Sequence, residues 1–155
     1  MDNYLKLLEE SLQKKVSVLD EISDLNEQQR MVFQAENAEL EDFDVLIEKK
    51  DELIDKIEQL DQGFETLYQR VSEQLQSNKD RYRDQIKAIQ ELIGTVTDKS
   101  MAVQAQEARN KALIEAYFSK KRGQIGENRR TANVALNYYR MQNSGVGSVY
   151  MDSKH

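Results

Sequence analysis

Few residues in this chain could do chemistry. There is one histidine, His155, at the last position, and no cysteine. A terminal imidazole is expected to make a poor general base and a poor metal ligand. Without cysteine, disulfides and thiolate metal sites are excluded. Carboxylates are plentiful, and pairs such as Glu9 with Glu10 or Asp51 with Glu52 could be imagined sharing a proton. They flank an apolar stripe at helical spacing, so they read as a solvated face. A carboxylate metal site inside a helical bundle needs a Glu-x-x-His repeat, which a single histidine cannot supply. No glycine-rich phosphate loop and no nucleophile elbow occurs. No catalytic residue, cofactor or metal is therefore expected, and binding classes remain.

The elements that would position any binding residue are helices. Charged residues make up 32% of the 155 residues and hydrophobics 39%, with no tryptophan. That supply suits slender helices that each bury one stripe. Proline is absent, so long uninterrupted helices are allowed. Apolar residues recur at steps of three and four. The first series is Leu5, Leu8, Leu12, Val16, Leu19, Ile22, then Val32 and Phe33. The second is Phe43, Leu46, Leu53, Ile57, Leu60, Phe64, Leu67, Val71, interrupted by Lys50. The third is Tyr82, Ile86, Ile89, Ile93, Val96, Val103, thinning into Ala105, Ala108 and Ala112 before Tyr117 and Phe118. Such spacing is coiled-coil-like. Tyr68 and Tyr82 fall at core-like positions and read as packing.

Breaks must come from capping chemistry. Asn37 can cap a new helix, with Glu39, Glu41 and Asp42 placing negative charge in its first turn. Ser77 and Asp80 resemble a capping box with the shorter acid. The expected fold is all-α: an elongated, antiparallel three-helix bundle over 1–122, with helices about 2–36, 38–76 and 79–121. A hairpin about residue 77 brings Gly63 near Leu92 and Gly94, and one about residue 37 brings it near Ser11. Two mid-helix glycines at one level suggest close helix approach or a flexing point. Lys120, Lys121 and Arg122 are expected to pair loosely with Glu36, Glu39, Glu41 and Asp42.

Before residue 77 there are 20 acids and 8 bases; from 77 onward there are 8 acids and 14 bases. Folding the halves together neutralises part of each. The basic half lacks a groove-reading motif or aromatic-interleaved patch, so no nucleic acid partner is expected. The first residues, MDNYLKLLEESLQKK, lack a signal-peptide apolar run. Nowhere do 18 apolar residues run together. A cytoplasmic protein without membrane insertion is the expectation.

Beyond Arg122 the character changes, with four of the six glycines at 123, 126, 145 and 147. Residues 123–155 read as a C-terminal tail with a short amphipathic helix about 127–142. Ala132, Leu136 and Tyr139 lie on one stripe of it, and Val134, Tyr138 and Met141 on another. A helix apolar on two sides needs a partner on each. The tail can wait free and fold against a partner's groove, or fold back on its own bundle, and both states remain open. Truncation after Arg130 is expected to leave far-UV helicity and the melting temperature nearly unchanged but to abolish partner binding. A homodimer through the same surface is a further expectation.

Three stretches carry a resemblance. FDVLIEKKDELIDKIEQLDQGF resembles the second-helix pattern of flagellar export chaperones of the FlgN family. EARNKALIEAYF, with Asn110, looks like that family's third-helix stretch. NYYRMQNSGVGSVYMDSKH is similar to the tails of members from Gram-positive bacteria. The resemblance implies a cytoplasmic chaperone that binds hook-associated proteins, those of the hook–filament junction, and delivers them to the flagellar type III export gate. It also implies partner binding by the C-terminal region. Carried over, that region is Leu136, Tyr138, Tyr139 and Met141, with Val149, Tyr150 and Met151 as secondary contacts. The alternative reading is a coiled-coil adaptor or scaffold unrelated to flagella.

Overall fold

A computed structural model describes residues 2–34, 39–120 and 138–139. Three helices make up the bundle: α1, Asp2–Gln34; α2, Leu40–Ser77; and α3, Arg83–Lys120. At 1.5 Å per residue they run roughly 50–57 Å. The second and third begin later than their capping signals suggest. Asn37 lies outside the described residues, and Glu39 is the residue at the N-cap of α2. Its side chain makes no capping hydrogen bond, and the acids of the first turn are Glu41 and Asp42. Ser77 does not cap α3. It is the last residue of α2, and its hydroxyl donates back to the Glu73 carbonyl at 3.1 Å. A hydroxyl can satisfy either the helix it ends or the one it starts, and here the i−4 carbonyl is nearer. Asn78 takes the C-cap, and the turn runs from there to Tyr82.

α1 is the central element, packed along both α2 and α3. It runs antiparallel to α2, as the pairs Lys15–Asp61 and Gln29–Lys50 require, and parallel to α3, as Asp20–Lys99 and Asn26–Asn110 require. α2 and α3 follow each other through a tight turn, yet their backbones approach closely at isolated points at most. Among the described residues α2 and α3 meet through side chains such as Lys50 and Glu107.

The buried seam follows a stricter seven-residue period than the apolar residues alone trace. On α1 it passes through Leu5, Leu8, Leu12, Lys15, Leu19, Ile22, Asn26 and Gln29, all buried. On α3 it continues beyond Val96 as Ser100, Val103, Glu107, Asn110 and Ile114. Ala105, Ala108 and Ala112 face solvent instead. A seam position is set by helix geometry and not by residue type, so polar residues occupy it where the period places them. Lys50, the break in the apolar series of α2, is fully buried. The end of the bundle built from Leu5–Ile22, Leu53–Val71 and Tyr82–Val96 is mainly apolar, with one buried charge, Lys15, paired to Asp61, whereas the core of the other end is richer in polar residues.

Two expectations about packing fail. A Cβ added at Gly63 or Gly94 would meet no neighbouring atom within 4 Å, so neither glycine serves close helix approach. Tyr82 is buried, but Tyr68 is exposed and lies stacked on Phe64 at 6.3 Å. Lys121 and Arg122, from the basic cluster, lie outside the described residues. Among the described residues, no helix is long and apolar enough to cross a membrane.

Candidate functional site

The polar end gathers a single cluster. Its floor is α1, which contributes Asn26 and Gln29. The Asn110 amide donates to the Asn26 carbonyl at 3.0 Å and to Gln29 Oε1 at 3.2 Å. Gln29 Oε1 also accepts from Lys50 Nζ at 3.0 Å. Lys50 reaches across the α2–α3 side to Glu107 Oε1 at 2.5 Å, a charge pair with both side chains buried. Burial pushes the Lys50 ammonium below its ordinary value, and the Glu107 carboxylate opposes that shift. At the rim, Arg109 pairs with Glu27 at 2.9 Å. That bond and the one from Arg30 hold Glu27 below the usual carboxylate range.

Over this pair sit Tyr138 and Tyr139, both helical and both buried. The Tyr138 hydroxyl donates to Glu107 Oε1 at 3.0 Å, and the Lys50 ammonium lies 4.6 Å from the Tyr138 ring centre. That is cation–π distance in a desolvated setting. The Tyr139 ring stands 6.4 Å from Phe43 and edge-on to Tyr138 at 5.0 Å. Phe43 meets Phe33, and Phe33 meets Tyr117. An aromatic wall from all three helices therefore continues the seat. Burial, with the Glu107 charge nearby, holds the Tyr139 phenol far above its ordinary value, so it stays protonated.

The seat is not fully satisfied. Among the described residues Glu107 Oε2, Gln29 Nε2, Asn26 Oδ1 and the Tyr139 hydroxyl are buried without a hydrogen-bond partner. Each such group costs about 1–3 kcal/mol relative to a paired one. The tyrosines dock over a polar floor whose hydrogen-bonding capacity they use only in part.

Of the residues expected to bind a partner, Tyr138 and Tyr139 are brought together here, folded back on their own bundle. Leu136, Met141, Val149, Tyr150 and Met151 lie outside the described residues. Periodicity of apolar residues marked Lys50 only as an interruption and passed over Gln29, Glu107 and Asn110. Extending the seven-residue step through polar positions would have found all four. Among the described residues no group of histidine, cysteine and carboxylate side chains could hold a metal ion. Comparison with protein-family models, with curated proteins and with solved structures finds no match.

Proposed function

We propose that the chain is a non-enzymatic cytoplasmic chaperone that binds hook-associated proteins and delivers them to the flagellar type III export gate. One observation supports this reading most directly. The three stretches that resemble the FlgN family lie far apart in the sequence, yet they meet at one place. The second-helix stretch supplies Phe43 and Lys50, the third-helix stretch supplies Glu107 and Asn110, and the tail supplies Tyr138 and Tyr139. A surface assembled from those stretches is where a partner is engaged. In this reading a helical substrate end packs against the α2–α3 side of the bundle, in the manner of a helix laid along a helical surface.

Co-expression tests it. The full chain, produced with the C-terminal helical region of a hook-associated protein from the same organism, should yield a soluble complex that co-elutes on size exclusion. If the two proteins separate, the chaperone reading fails, and a scaffold role unrelated to flagella takes its place.

A further inference from the structure

We propose that the seat between α2 and α3, and not the tyrosines that fill it, is the recognition surface: a partner helix bearing tyrosine followed by a second aromatic residue competes with Tyr138–Tyr139 for it. The inference rests on the chaperone reading for the existence of a partner, and on the seat's chemistry for what that partner presents.

The seat is specific for its occupant. Glu107 takes a hydroxyl, Lys50 faces a ring, and Phe43 borders a second ring. A phenol satisfies the first two demands together, because its hydroxyl and its ring face are fixed about a rigid plane. An adjacent aromatic meets the third. On this side the backbones of α2 and α3 stay apart and meet through side chains such as Lys50 and Glu107, so displacing the tyrosine pair does not require α1 to part from either neighbour. The resident pair does not use every polar group of the seat. It leaves Glu107 Oε2, Gln29 Nε2 and its own Tyr139 hydroxyl buried and without a hydrogen-bond partner among the described residues. An incoming helix that donates to the free carboxylate oxygen gains what the resident pair forgoes. The tether gives the resident pair a high local concentration, on the order of millimolar. Binding in trans therefore requires either a better fit or release of the tail.

The probe is a fluorescein-labelled synthetic peptide of residues 127–142, added to the full-length chain and followed by anisotropy. The variant Tyr138→Ala/Tyr139→Ala, shown to be helical by circular dichroism, should bind it at least 100-fold more tightly than the unaltered chain. A peptide with phenylalanine in place of Tyr138 should bind that variant about tenfold more weakly, through loss of the hydroxyl bond to a charged acceptor. Equal binding to both proteins, or no binding to the folded variant, overturns the proposal. Should the double variant fail to fold, the full-length Tyr138→Phe variant decides. It keeps both rings, and it should take up the unaltered peptide about tenfold more tightly than the unaltered chain; an unchanged affinity overturns the proposal. The seat and the chaperone reading fail separately. Peptide competition can succeed where no hook-associated complex forms. A hook-associated complex weakened by Tyr138→Ala/Tyr139→Ala would keep the chaperone and make the tyrosines themselves the contact.

Discussion

Lys50 is the residue on which the polar end turns. It interrupts the apolar series of α2 and would be read as a solvated lysine. Instead its ammonium is shared between Glu107, Gln29 and the face of Tyr138. Removing one member of a buried pair leaves an uncompensated charge, which costs more than removing both. Lys50→Met is therefore expected to destabilise the chain by about 3–5 kcal/mol, whereas Lys50→Met combined with Glu107→Leu should cost less than either single change. Chemical denaturation of the three variants measures this. A double variant as damaged as the sum of the singles would show that the pair does not act as a unit. What the sequence showed here was the position of Lys50 on the seam. What it concealed was the carboxylate on another helix that makes burial tolerable.

At the scale of the helices, the seven-residue period is legible throughout and its content is not uniform. α1 and α3 pair through Leu and Ile at one end and through amides and charges at the other, with Gln106 reaching Ser23 and Asn26, and Arg109 reaching Glu27. Polar seam residues cost stability but fix register, and here they hold α1 and α3 parallel at one offset. The glycines make the opposite point. Gly63 and Gly94 look like contact residues because the hairpins bring them to similar levels, but each faces open space. Gly63→Ala and Gly94→Ala should each raise stability by about 0.5–1 kcal/mol, the helix-propensity difference with no clash to offset it. Thermal melts of the two variants check this, and a loss of stability at either would mean that the helix needs to flex there.

For the whole molecule, the seating of Tyr138 and Tyr139 changes what the tail does. A tail standing apart could be removed without cost. A tail whose two rings cover a buried ion pair cannot, since its loss bares Lys50, Glu107 and Phe43 to water. Truncation after Arg130 should lower the melting temperature by roughly 5–15 °C, from the loss of about 2–4 kcal/mol of net burial, while far-UV helicity falls little. An unchanged melting temperature would show that the docked pair contributes nothing to stability. The sequence by itself determined the all-α class, three long helices and their approximate breaks, because seven-residue periodicity and the lack of proline act locally. Only the tertiary structure decided that the seam grows more polar toward one end, that α1 lies between two helices whose backbones stay apart, and that the tyrosine pair closes over Lys50 and Glu107. Burial of a charge or a hydroxyl depends on partners distant in the chain, and no local pattern encodes whether those partners will arrive.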